Sequence, residues 1–196
     1  MINEFFKLIN IALIAIVFEN TIFARAFGTS TLLIAAKNKK EIVPFGLSIT
    51  YICLSSGALS FVADKFILTN STSFLYRPLA YVIIIGFVYI VTLLLLWKFA
   101  NKFFLSVKKF VHISAFNCAV LGALFLNNLI TDSIWGYIIF GLGTGIGFFV
   151  ATFLVSACYE KLNSEKVPDS FRGFPIAMIF IGILSMSFFA LSGKFF

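Results

Sequence analysis

Six long apolar runs, near residues 5–26, 42–63, 76–98, 103–126, 133–158 and 174–195, occupy almost all of this 196-residue chain. A helix needs roughly 20 residues to cross a hydrocarbon core of about 30 Å, and the runs are of that order. Hydrophobic residues make up 61% of the chain and charged residues 12%, with a mean hydropathy of +1.05, far above what a polar-surfaced soluble domain carries. The runs lack the apolar and polar alternation of a transmembrane β-barrel, so a helical bundle is what satisfies the backbone in lipid. The expected fold class is an all-α integral membrane protein of about six transmembrane helices, one polytopic domain over residues 1–196. No soluble catalytic domain fits in the short connections.

The formal charge of +7 is distributed by connection. Lys37, Lys39 and Lys40 stand in the first, Lys98, Lys102, Lys108 and Lys109 in the third, and Lys161, Lys166 and Arg172 in the fifth; the other side keeps Lys7, Lys65, Arg77 and Lys194. The positive-inside rule makes the odd-numbered connections cytoplasmic and puts both termini outside. The same distribution argues against a nucleic-acid footprint. Ala24-Arg25-Ala26 is a poor signal-peptide cleavage site, because Glu4 cancels Lys7 and Glu19-Asn20 interrupts the approach. The first run is read as an uncleaved membrane segment.

Asn117-Cys118 is the most unusual pair, an amide beside a thiol at membrane depth. Its run begins with Lys108, Lys109, His112 and Ser114, and a short apolar stretch follows only from Phe116 to about Leu126. A half-length or broken helix leaves backbone groups unpaired near Asn117, which is tolerated only beside protein or a cavity. The first run repeats the pattern: Glu19-Asn20 enters it, and Arg25 and the flexible Phe27-Gly28-Thr29-Ser30-Thr31 precede the lysine cluster. Broken half-helices in segments one and four, with three crossings per half, predict two inverted three-helix repeats, approximately 1–100 and 101–196, with a site at the midplane.

Cys53, Cys118 and Cys158 lie in separate runs without a C-x-x-C pair, which argues against a disulfide framework or zinc site. Asn117 either tunes a bound group, caps a half-helix or joins packed helices. His112 is an interfacial side chain or a ligand. Glu19 and Arg25, six residues apart, are roughly opposite on a continuous helix; Glu19 lines an ion path, or both snorkel or pair across a subunit interface. Gly141, Gly143, Gly145 and Gly147 form interleaved G-x-x-x-G patterns that suit close helix packing rather than a dinucleotide loop. Trp97, Trp135, Tyr76 and Tyr137 lie near segment ends, where amphipathic rings favour the interface.

These landmarks resemble a known family over nearly the whole chain. Phe18-Glu19-Asn20, Phe27-Gly28, Lys37 to Lys40, Asn117 to Gly122, Val167-Pro168, Phe171-Arg172-Gly173 and Leu191-Ser192-Gly193 are similar to a pair of paralogous membrane subunits, the A component of the Rnf electron-transport complex and the E component of the Na+-translocating NADH:quinone reductase (Na+-NQR). The resemblance implies a multi-pass subunit of a bacterial or archaeal inner membrane. It also implies a paralogous six-helix partner, flavin-carrying subunits elsewhere in the complex, and coupling of electron transport to Na+ or H+ movement. Such a subunit contributes to an ion-translocating oxidoreductase without a complete active site of its own.

The resemblance further implies one intramembrane [2Fe–2S] cluster, each partner giving two cysteines from its helix breaks. Cys118 would be one ligand, with Asn117 and Gly28 beside the cluster. The family's first-break cysteine falls at Ser30 here, and its proline upstream of the second break is missing, with His112 close by. A serine oxygen is a harder donor than thiolate. The corner is therefore oxygen-ligated, replaced by another group, or the cluster is altered or absent, which leaves a scaffold subunit. A different class, the substrate-binding membrane subunit of a vitamin or metal uptake system, also suits a small basic six-helix bundle; it requires a polar substrate pocket and no iron.

Overall fold

A computed structural model describes residues 2–66, 73–99, 104–165 and 167–191 of the protein. Lys102, Lys166, Lys194 and the pair Ser192-Gly193 lie outside the described residues. Regular structure among the described residues is helical: α1 (Ile2–Leu13) runs into a π-helical turn (Ile14–Phe18), followed by α2 (Thr29–Lys37), a 3₁₀ turn (Lys39–Glu41), α3 (Ile42–Phe66), α4 (Ser73–Phe99), α5 (Phe104–Ala115), α6 (Cys118–Ile130), α7 (Ile134–Leu162) and α8 (Phe174–Leu191). The chain is an all-α integral membrane protein. Stretches of 28, 24 and 29 residues (Lys39–Phe66, Leu75–Lys98 and Ile134–Leu162) are long and apolar enough to cross a bilayer, and α5 and α6 form a fourth, bent pair. Two shorter apolar helices, Phe6–Phe18 and Phe174–Ala190, accompany them.

The first apolar run does not continue as a helix to residue 26. Regular structure stops at Phe18 and resumes only at Thr29. Asn20 accounts for the stop, because its buried side chain takes the place of helical partners: Nδ2 donates to the carbonyls of Ile16 (2.9 Å) and Gly147 (3.2 Å), and Oδ1 accepts from the backbone N–H of Ile22 (3.0 Å) and Phe23 (3.3 Å). An irregular backbone at membrane depth survives only with its polar groups satisfied in this way. The fold of the loop also brings Arg25 to Glu19 at 3.1 Å. The opposite placement expected of a continuous helix is thus corrected, for the six intervening positions are not helical.

The long helices α3 and α7 form the centre and run antiparallel. A Cβ on Gly141 would stand 2.8 Å from the Cys53 carbonyl oxygen, and one on Gly145 would stand 2.5 Å from the Thr50 Cα. The alternate pair faces α1 and the first break, with a Cβ on Gly143 at 2.6 Å from the Ala15 Cβ and one on Gly147 at 2.9 Å from Asn20 Nδ2. The two interleaved glycine patterns therefore serve two different partners, each at backbone contact.

The halves exchange partners: α1 and α2 pack on α7, α5 and α6 pack on α3, and α3 packs on α7. Described residues in or flanking the first, third and fifth connections come together at one end of the bundle, where Lys39 pairs with Glu160 at 2.8 Å and Lys109 with Glu41 at 3.5 Å.

Candidate functional site at the helix breaks

Asn117 interrupts the fourth segment by adopting an extended backbone (φ −104°, ψ 131°) between α5 and α6, which are bent by 50°. Its Oδ1 accepts from the Ala119 backbone N–H at 3.0 Å, the geometry of a helix N-cap. Cys118 thus becomes the first residue of α6. In the first segment Gly28 has the corresponding position, at the N-cap of α2 with φ +80°. Ala26, two residues earlier, also has a positive φ of 58°.

These two helix starts touch. The Gly28 N–H donates to Cys118 Sγ at 2.9 Å. A Cβ on Gly28 would stand 2.8 Å from Asn117 Oδ1 and 2.9 Å from the Ala119 Cβ, and the Phe27 ring covers Gly122 so closely that a Cβ there would overlap it. The Phe27-Gly28 and Asn117 to Gly122 motifs, whose contacting residues are 90 positions apart, therefore form one structure. From this contact α2, with 9 residues, runs about 13 Å to the basic end, and α6, with 13, runs about 20 Å to the opposite end. The site lies near mid-depth of a core about 30 Å thick.

Two helix N-termini pointing at one place favour negative charge there, since each presents unpaired N–H groups and the positive end of its dipole. Asn117 is 5% exposed, and its Nδ2 has no hydrogen-bond partner. A buried donor without an acceptor marks a place where an acceptor is missing. Cys118 is an exposed free thiol bordering a pocket with Val82, Ile85, Ala115, Phe116, Asn117 and Leu121. An exposed sulfur with N–H donors behind it fits one corner of an iron–sulfur cluster.

The second corner does not repeat this chemistry. Ser30, at the second position of α2, is exposed and lines a cavity of about 290 Å³ with Leu33, Ile34, Lys37, Tyr159, Gly173, Phe174 and Ala177. Its donor is a hydroxyl oxygen. Among the described residues, His, Cys, Asp and Glu nowhere assemble in threes as a metal site. His112 is engaged elsewhere: its Nδ1 lies 3.0 Å from the Tyr89 hydroxyl, and its ring packs on Tyr89 and Phe116. Cys53 is buried and Cys158 partly buried, both free. Glu19 and Arg25 border a cavity of about 210 Å³ with Phe188 and Phe189, and α8 is tied to this break where the Ser185 hydroxyl donates to the Phe23 carbonyl.

Sequence reasoning missed a second polar group at the other end of the bundle. Asp64, Arg77, Tyr81, Asn128 and Tyr137 form a connected network there. The available signal was Asp64 itself, an ionisable residue inside the last turns of a membrane span.

Fold and site together define a polytopic membrane protein whose two broken helices meet around a thiol at mid-depth. A family described as "Rnf-Nqr subunit, membrane protein" matches residues 8–194, and the chain belongs to that family. It is 25% identical over 193 residues, 98% of each chain, to the A component of the ion-translocating oxidoreductase complex of Histophilus somni (strain 2336). It is 26% identical over 186 residues, 95% of this chain and 97% of the relative, to the A component of the Na(+)-translocating ferredoxin:NAD(+) oxidoreductase complex of Acetobacterium woodii. The A component of the ion-translocating oxidoreductase complex of Aliivibrio fischeri (strain ATCC 700601 / ES114) is 26% identical over 175 residues, 89% of this chain and 91% of its own.

Proposed function

We propose that this chain is a non-autonomous membrane subunit of an ion-translocating electron-transport complex of Rnf type, carrying electrons through the bilayer at the Cys118 site. The observation that supports it most is the meeting of two half-helix N-termini at a thiol, in a chain of this family. A single electron hop across about 30 Å of hydrocarbon is too slow, and a redox centre at mid-depth divides it. The group the site suits is a [2Fe–2S] cluster shared with a paralogous six-helix partner; when bound, it supplies one-electron chemistry. Cys118 gives one thiolate ligand, the Gly28 N–H supports its sulfur, and the free Nδ2 of Asn117 is the donor left for a further acceptor. Ser30, which lines a separate cavity from Cys118, would offer only a hydroxyl oxygen at the second corner.

The exchange of partners between halves supports an inverted repeat, approximately 1–100 and 101–196. The gathering of basic connections at one end supports a bacterial or archaeal inner-membrane protein with both termini outside. Glu19, bound to Arg25 beside the first break, is the acidic group proposed for ion passage there. Flavin-carrying subunits of the same complex would deliver and receive the electrons.

The test is iron content and low-temperature EPR of the complex purified with this chain, before and after Cys118→Ala. Roughly two irons per subunit pair and a reduced-state signal lost on Cys118→Ala are expected, and Ser30→Cys should then shift the signal. An iron-free complex that still assembles would overturn the cluster in favour of the scaffold reading, which Ser30 favours.

A further inference from the structure

Five polar side chains from four helices converge at the end of the bundle opposite the basic cluster. The Asp64 carboxylate on α3 accepts from the Tyr81 hydroxyl of α4 at 2.8 Å (Oδ1) and 2.9 Å (Oδ2), and from the Tyr137 hydroxyl of α7 at 3.0 Å. Asn128 of α6 donates to the Tyr137 hydroxyl oxygen at 3.3 Å, and its own Oδ1 accepts from Arg77 Nη1 at 2.6 Å. Tyr81 is 0% and Tyr137 2% exposed, so the carboxylate is held from the buried side.

A carboxylate at a membrane helix end is costly without a positive partner. Among the described residues no lysine or arginine forms an ion pair with Asp64; Arg77, one turn from Tyr81 on α4, is engaged by Asn128 instead. The tyrosines orient the carboxylate but bring no charge. Two further atoms are buried without partners: Nε of Arg77, and Oδ1 of Asn127, a residue 0% exposed that lies against Gly57, seven residues back along α3. Ser60, also 0% exposed, lies one turn inward from Asp64 along α3, its hydroxyl donating to the Gly57 carbonyl at 2.8 Å. Acceptors lacking a positive partner thus line the inward side, while a guanidinium stands nearby, bound to a neutral amide.

We propose that Asp64, held by Tyr81 and Tyr137, is the cation-exchange group at the outer end of this subunit's ion path. It takes a monovalent cation, a sodium ion or a proton, and Arg77 leaves Asn128 to compensate the carboxylate when that cation departs. This rests on the reading of the chain as part of an ion-translocating complex.

The experiment uses the whole complex reconstituted in liposomes, counting ions moved per electron with radioactive sodium and, separately, a pH-sensitive dye; the active probe identifies the cation. Asp64→Asn keeps an acceptor for both tyrosines and removes the charge, and ions per electron should fall roughly tenfold or more. Tyr81→Phe keeps the carboxylate and should raise the half-saturating ion concentration severalfold, and it decides the matter if Asp64→Asn fails to assemble. Wild-type stoichiometry in Asp64→Asn, or a Tyr81→Phe complex altered only in thermal stability, would make the network a structural tether and overturn the inference. A wild-type complex that moves electrons but no ions would instead sink the reading of the complex itself.

Discussion

Gly28 is held from two sides at once, by a left-handed backbone and by the facing helix start. Any Cβ there meets a φ of +80° and stands 2.8 Å from Asn117 Oδ1. Gly28→Ala is therefore expected to destabilise the protein by about 2 kcal/mol or more, and the backbone shift that makes room for the Cβ moves the residue-28 N–H away from Cys118 Sγ; thermal unfolding in detergent checks the first effect and iron content the second. Asn117 has two separable roles. Asn117→Asp keeps the acceptor for the Ala119 N–H, whereas Asn117→Ala removes the cap at a cost of about 1 kcal/mol. Only the aspartate adds negative charge where Nδ2 now points, so a redox titration should show a lower midpoint potential for Asn117→Asp, with its melting temperature near wild type. Asn117 and Cys118 were legible as a pair because an amide beside a thiol at that depth is costly. The contact with Gly28 was not, since nothing local to residue 28 names a partner 90 positions away.

At the level of the helices, α7 carries its packing in four glycines. Gly145→Ala should separate α3 from α7 at a cost of about 1–3 kcal/mol, since the added Cβ stands 2.5 Å from the Thr50 Cα. Gly182→Ala on α8, where a Cβ meets nothing within 4 Å, should be neutral or stabilising by roughly 0.5–1 kcal/mol. Melting temperatures of the two variants test the contrast; equal effects would count against the packing role of Gly145. The spacing of the glycines was readable in sequence as a close-packing signal. That Gly141 and Gly145 face α3 while Gly143 and Gly147 face α1 and Asn20 required the arrangement of three elements. The break in the first segment was readable at Glu19-Asn20; that the helix ends at Phe18, although the apolar run continues through Ile22 and Phe23, follows from the Asn20 side chain, which accepts from both their N–H groups and donates to the Gly147 carbonyl.

Across the whole molecule, the two ends are built differently. The basic end is joined by surface ion pairs, the exposed Lys39–Glu160 and the half-exposed Lys109–Glu41, of a kind that contributes little and weakens with salt. The other end is joined by the half-buried Asp64 network. If the basic end is cytoplasmic, Lys109→Cys in a background without native cysteines should be labelled by an impermeant thiol reagent only from the inside, and Asp132→Cys only from the outside. The reverse pattern would invert the proposed topology.

Solvent determined what the sequence alone could say: 61% hydrophobic residues in membrane-length runs admit only helices, and a polar interruption at that depth must be sheltered. Those constraints act locally along the chain and are visible in its order of residues. Which interruptions meet, how Glu19 finds Arg25, why Ser30 and Cys118 border different cavities and how Asp64 gathers partners from α4 and α7 were decided only by tertiary structure. These depend on contacts between helices that lipid does not prescribe and that shape complementarity at the glycines and the two breaks selects.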